Sequence, residues 1–183
     1  MAECDLEHTF VTSDHHFRDW MHLGGALSES TQEEEAEHIA LWNSVVGKDD
    51  LVLYIGDFCD GGIGDLEELC KKLNGRKILI KGNHDGLGDE WYRFAFEDVV
   101  TELRIDDLNL RLIHIKEEAK DLHSGERILY GHEHRLMSGP PPTTRDSMCV
   151  CAKWHGWKPI TLAEAIRQMD SAQASRPKAT QSR

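Results

Sequence analysis

Apolar residues follow two rhythms along the first half of the chain. Short runs read as strands: Phe10 and Val11 among threonines within His8 to Ser13, then Leu51-Val52-Leu53-Tyr54-Ile55, then Ile78-Leu79-Ile80 after Arg76-Lys77. Between them, Ala36, Ile39, Ala40, Trp42 and Val45 recur near helical spacing. They predict a helix from Thr31 to Val46, capped by Ser30 or Thr31 and stopped by Gly47. Leu66, Leu69, Cys70 and Leu73 predict a second helix, Ile63 to Leu73, stopped at Asn74-Gly75. The order is βαβαβ, which implies a parallel sheet covered by helices.

The second half changes rhythm. Val99 to Ile105, Leu108 to Ile115, Arg127 to Tyr130 and Met148 to Ala152 read as strands with short connections, with a hairpin turn at Asp106-Asp107. Ser138-Gly139-Pro140-Pro141-Pro142 reads as a stiff exposed loop, and Leu162 to Met169 as a last helix. Residues 1–170 are expected to form one domain and 171–183 a disordered tail, because the tail has little apolar content to bury.

Composition narrows the class. A length of 183 residues suits one domain with a sound core. No apolar run approaches the roughly 18 residues of a membrane span. Met1-Ala2-Glu3-Cys4-Asp5 lacks the order of a secretory signal, so a cytoplasmic location is expected and no membrane partner. Cys4, Cys59, Cys70, Cys149 and Cys151 show no CxxC spacing and read as free thiols of a reducing compartment. The net charge of -12 argues against a broad nucleic-acid surface. Glu33-Glu34-Glu35 reads as a solvated helix face.

The chemistry gathers where predicted strands end. The first ends in Asp14 and His16, the second in Gly56-Asp57 with Asp60 nearby, and the third in Gly82-Asn83-His84-Asp85. His114 closes a later strand, and Tyr130-Gly131-His132-Glu133-His134 supplies two more imidazoles. A lone histidine in a strand is ordinarily a satisfied core residue, and a Gly-Asp after a strand is commonplace. Their joint placement at strand ends is much harder to ascribe to chance. Imidazoles with carboxylates suit first-row divalent ions: manganese first, with nickel, cobalt, iron or zinc as alternatives.

The series Asp14-x-His16, Gly56-Asp57-x-x-Asp60, Gly82-Asn83-His84-Asp85, His114 and Gly131-His132-x-His134 resembles the calcineurin-like metallophosphoesterase superfamily, over roughly Thr9 to Pro159. The small bacterial and phage phosphoesterases are the nearest in pattern. They also have stretches similar to Trp42-Asn43-Ser44-Val45-Val46, Leu73-Asn74-Gly75-Arg76-Lys77 and Lys158-Pro159-Ile160. The resemblance implies an α/β fold, a β-sandwich flanked by helices in four αββα layers.

It also implies two divalent ions bridged by one aspartate. Asp14, His16, Asp57 and His134 would hold the first ion, and Asp57, Asn83, His114 and His132 the second. A hydroxide bridging the ions would attack a phosphate ester, with His84 as general acid and Asp85 orienting its ring.

The chain departs from the pattern in places. Related enzymes often have His-Tyr-Pro where His114-Ile115-Lys116 stands, which makes His123 a rival for that ligand. A further histidine commonly follows the first motif where this chain has Phe17-Arg18-Asp19, so Arg18 becomes a candidate phosphate contact. Cys59 is expected to be a loop residue and not a nucleophile, and His15 a neighbour and not a ligand.

The expected activity is metal-dependent hydrolysis of phosphodiesters or phosphomonoesters, with a small-molecule or nucleotide ester as substrate. Two rivals are a partner-binding scaffold on the same fold, which would lack ligating side chains, and a nuclease, which would need a basic groove. Lys116, Lys120, Arg127 and Arg135 are the residues that could form such a local patch.

Overall fold

The computed structural model of the chain describes residues 5–19 and 29–172. In chain order its strands are Thr9–Thr12 (β1), Leu51–Ile55 (β2), Arg76–Ile80 (β3), Asp98–Val100 (β4), Glu102–Ile105 (β5), Leu110–Ile113 (β6), Arg127–Tyr130 (β7), Ser147–Cys149 (β8) and Ile160–Thr161 (β9). The α-helices are Glu29–Asn43 (α1), Ile63–Lys72 (α2), Asp89–Tyr92 (α3) and Leu162–Ser171 (α4). One sheet has the order β4-β3-β2-β1-β9 and the other β5-β6-β7-β8.

Side-chain alternation decides which face each strand residue covers. Val11, Leu53, Ile55 and Ile80 point between the sheets, where they meet Leu110, Leu112 and Leu129. Their neighbours of opposite parity, Phe10, Val52, Tyr54 and Leu79, pack with Trp42 of α1 and Leu66 and Leu69 of α2. Full burial of a leucine such as Leu69 contributes about 1.5–3 kcal/mol. Ile113, Ile128 and Tyr130 cover the outer face of the second sheet with Ala119 and Trp154, from single turns of 3-10 helix. Leu162, Ala165 and Met169 bring α4 into the core between the sheets. The result is the expected sandwich of two sheets flanked by helices.

An amide clamp fixes α1 against the end of α2. Asn43 Nδ2 donates to the Lys72 carbonyl at 2.8 Å, and Asn43 Oδ1 accepts from the Asn74 amide at 2.8 Å. Asn74 Nδ2 in turn donates to the Val46 carbonyl at 3.0 Å. α1 ends at Asn43, short of Gly47, and Ser30 and Thr31 lie inside it instead of capping it. Ala36, Ala40 and Val45 are exposed, so Trp42 and Val46 carry the buried face with Ile39.

Val99 to Ile105 is two strands and not one. β4 pairs parallel with β3, whereas β5 pairs antiparallel with β6, so the chain passes from one sheet to the other at Thr101. Alternation hides that step: Val99, Leu103 and Ile105 keep one parity as if on one strand face, yet Val99 packs toward the helices while Leu103 and Ile105 face the middle layer. Cys151 lies beyond β8 and forms a lone bridge with Ser13, which ties the second sheet to the end of β1. Residues 173–183 of the expected tail lie outside the described residues, and Ser171 closes α4.

Because β1, β2 and β3 are parallel, the loops that leave them share one rim. β6 and β7 are parallel as well, and their ends bring His114 and His132 to the same place. Ligand sites of open α/β sheets lie at such a rim.

Candidate metal centre

Four of the residues gathered there hold a left-handed backbone: Asp14 at φ 57°, His16 at 48°, Asp57 at 58° and His132 at 70°. Non-glycine residues take this conformation at a cost on the order of 1–3 kcal/mol each, and it persists where surroundings enforce it. Two glycines in the loops of the centre have a separate reason. A Cβ on Gly56 would lie 2.4 Å from His114 Nδ1, and one on Gly82 2.2 Å from Asp57 Oδ1. Each loop must present a bare backbone so that another loop's side chain can reach the centre.

Asp57 occupies the middle. Its Oδ1 accepts from the His84 amide at 2.8 Å. Its Oδ2 is buried without an aligned hydrogen bond, although His114 Nε2 lies 3.2 Å away and His16 Nε2 3.6 Å away. Asp14, His16 and His134 bring ligand atoms within 4.8 Å of one another, and so do Asp57, His114 and His132. His16 Nε2 and His134 Nε2 approach to 3.2 Å, and Asn83 Oδ1 lies 3.1 Å from His114 Nε2. All seven ligand candidates therefore converge, with a buried carboxylate oxygen left over between two imidazole groups. That donor set fits divalent ions.

Supporting contacts aim the rings. His114 Nδ1 lies 2.8 Å from the Ile55 carbonyl, and His16 Nδ1 2.8 Å from Asp60 Oδ2. Such partners fix the tautomer that leaves the other nitrogen for a metal. Asp14 accepts from the His132 amide at 3.0 Å on both oxygens, and Cys151 Sγ lies 3.1 Å from Oδ2.

Electrostatics follow from burial and these neighbours. Burial works against charge on Asp57, yet the His114 imidazole and the His84 amide hold its carboxyl below the usual range. Burial likewise opposes charge on His114, but Asp57 and Asp14 outweigh it and push its pKa up to about 9. For His134, burial dominates, with His16 adding to it, and the pKa drops to about 4. The ring of His15 lies elsewhere: it stacks on Phe17, lies 3.0 Å from Tyr54 Oη, and is driven by burial to about 3.

The sequence pattern of the family described as calcineurin-like phosphoesterase matches residues 8–134, more than half of the chain. The chain belongs to that family. It is 35% identical over 116 residues to the Gene 66 protein of Mycobacterium phage L5, covering 55% of either chain. It is 24% identical over 152 residues to an uncharacterised protein of Methanocaldococcus jannaschii, covering 80% of this chain and 81% of that one. The match thus spans about half of the first phage relative and most of the archaeal one. A solved structure of a protein of unknown function from Aquifex aeolicus superposes with a TM-score of 0.63 at 20% identity, over 88% of this chain and 98% of that one. That likeness concerns the fold.

In this member of the family, Asp85 does not orient His84. Its Oδ2 accepts from the amides of Asp57 and Gly82 at 2.8 Å each, and its Oδ1 from the Phe58 amide at 3.1 Å. Burial raises its pKa, and those three amides oppose the shift. Asp85 therefore fastens the Asp57 loop to the Gly82 turn. The ring of His84 belongs to Asp60, whose Oδ1 lies 3.1 Å from His84 Nδ1 while its Oδ2 holds His16. Spacing had placed Asp60 near the centre without a role. The signal was its position three residues after Asp57, which returns its side chain to the same loop.

Arg18 is not placed for phosphate. Its guanidinium lies 3.1 Å from Glu68, 3.3 Å from Glu35 and 3.5 Å from Asp65, joining α1 and α2 to the loop after β1. Glu35 thus leaves the solvated face assigned to its neighbours. His123 lies beside Arg104 at 3.4 Å, away from the ligand groups, so His114 has no rival there. Cys59 is buried and its thiol is pushed up to about 12 by that burial, which leaves it unreactive. No helix among the described residues is long and apolar enough to cross a membrane.

Proposed function

We propose that this calcineurin-like phosphoesterase hydrolyses phosphodiester or phosphomonoester bonds at a dinuclear metal centre. The observation that supports this most is the buried Asp57 Oδ2, which has no aligned hydrogen bond and faces imidazoles on both sides. Asp14, His16, His134 and Asp57 would hold one ion, and Asp57, Asn83, His114 and His132 the other. Two bound divalent ions, with manganese the first expectation, supply polarisation of phosphoryl oxygens and a lowered pKa for water.

The chain's own groups do the rest. His84 stands at the mouth of the centre, 43% exposed and edge-on to His16 with ring centroids 4.9 Å apart. With Nδ1 held by Asp60, its Nε2 is the nitrogen left to donate a proton to the departing oxygen of an ester. Asp60 positions His84 and His16 together, so the proton donor and one ligand share a single anchor.

The test is hydrolysis of bis(p-nitrophenyl) phosphate and p-nitrophenyl phosphate by protein whose metal content has been measured. Turnover that requires added manganese, nickel or cobalt is expected. Metal-free protein that stays inert on both esters after metal addition would favour the scaffold reading instead.

A further inference from the structure

A cleft of about 460 Å³ opens beside the centre and is walled by two of its ligand residues, Asn83 and His114. It lies where the chain crosses between the sheets, lined there by Val100 and Thr101, with Ile113 and Ile115 across from them. Its volume falls in the range of small-molecule sites. We propose that this cleft receives the ester substituent that stays on phosphorus, and that this substituent is neutral, hydroxyl-bearing and of sugar or nucleoside size. The inference rests on the phosphoesterase reading above.

Position supplies the first argument. His84 does not line the cleft; its ring lies against His16 and Asp60, in the other half of the centre. A leaving oxygen protonated by His84 departs on that side, so a group seated beside Asn83 and His114 is retained. Water adds to phosphorus and gives a proton to solvent. The bond to the leaving oxygen breaks, and that oxygen departs as an alcohol with the proton from His84. The product is a monoester that keeps the substituent in the cleft, so the favoured substrates are diesters.

Charge supplies the second. Lys81 is the lysine of the cleft, and its Nζ is already held by Asp89 at 2.9 Å and by the Leu87 carbonyl at 3.2 Å. Glu118 adds another carboxylate to the lining. A second phosphate would meet like charge there, which is costly. Hydroxyl groups can donate to the same carboxylates, while aliphatic walls take the carbon skeleton. A monoanionic diester with one neutral, hydroxylated arm satisfies both parts.

The experiment compares three esters with the same leaving group: thymidine p-nitrophenyl phosphate, methyl p-nitrophenyl phosphate and p-nitrophenyl phosphate. Manganese-loaded protein should turn over the thymidine diester with a kcat/KM roughly tenfold or more above the methyl diester, the scale of a filled pocket. Thr101→Trp, which fills the cleft, should bring that ratio close to one. Equal values in the unmodified protein, or a ratio that survives a folded Thr101→Trp, overturns the proposal.

A second measurement needs no turnover and no variant. Thymidine added to the unmodified protein should shift the methyl resonances of Val100, Ile113 and Ile115, and an unchanged spectrum at saturating thymidine overturns the proposal. Inertness toward all three esters with methyl shifts still present contradicts the phosphoesterase reading, and with it the assignment of a retained substituent, while leaving a binding cleft.

Discussion

On one side of Asp57, His16 is held by a side chain: its Nδ1 lies 2.8 Å from Asp60 Oδ2. On the other, His114 is held by the main chain, with Nδ1 2.8 Å from the Ile55 carbonyl. The His114 side chain is also the more enclosed, 3% exposed against 9% for His16. A carboxylate partner raises the basicity of its imidazole and can be removed by substitution. A strand carbonyl also favours the protonated ring, but no side-chain substitution removes it. The first half of the centre can therefore be adjusted one residue at a time, whereas the second is built into the backbone of β2. His84 is tied to the adjustable half, since it shares Asp60 with His16.

Substitutions that touch the shared carboxylate should erase this difference. Asp57→Asn removes a charge that both halves use, so metal content measured by mass spectrometry should fall on both sides together. The loss should exceed the roughly 10–100-fold typical of a ligand's supporting partner. Retention of two ions per chain by this variant would mean that Asp57 does not bridge.

His84→Ala should leave metal content unchanged and reduce turnover of bis(p-nitrophenyl) phosphate by roughly 100-fold or more, the scale of a lost general acid. Metal loss instead would make His84 a ligand. Asp60→Asn separates the two halves. One of two binding events in a calorimetric manganese titration should weaken by roughly 10–100-fold, and the other should stay near its original affinity. Equal weakening of both would show that the halves are not independently supported.

Asp85→Ala acts on structure first. It strips a buried acceptor from the amides of Asp57, Phe58 and Gly82, at about 1–3 kcal/mol for each amide left unsatisfied. A lowered Tm with near-normal turnover in the surviving folded fraction is the expected result. Turnover that falls as far as in His84→Ala would return Asp85 to the role the sequence suggested.

That role was misread for a definite reason. The Asn83-His84-Asp85 run places a carboxylate next to the imidazole in sequence, but Asp85 turns into the fold, 3% exposed, while the His84 side chain turns out. Neighbours in a tight turn often face opposite ways, and spacing alone does not say which. By contrast β2 and β7 are read from sequence to the residue, because a short apolar run bounded by turn residues has few other solutions. The convergence of the candidate ligand residues was also legible, since parallel strands end on one rim.

Longer-range pairings were not legible. Arg18 reaches three carboxylates from α1 and α2, contacts across 17 to 50 positions of sequence that no local pattern encodes. The break at Thr101 was hidden because Val99, Leu103 and Ile105 share one parity and read as a single strand face, although Val99 belongs to the other layer.

Manganese stoichiometry reads directly whether two ions share one aspartate. Metal-free protein titrated with manganese and followed by calorimetry and electron paramagnetic resonance should bind two ions per chain, with the spectrum of an exchange-coupled pair at saturation. A single ion per chain, or two ions with uncoupled spectra, would contradict a centre bridged by Asp57.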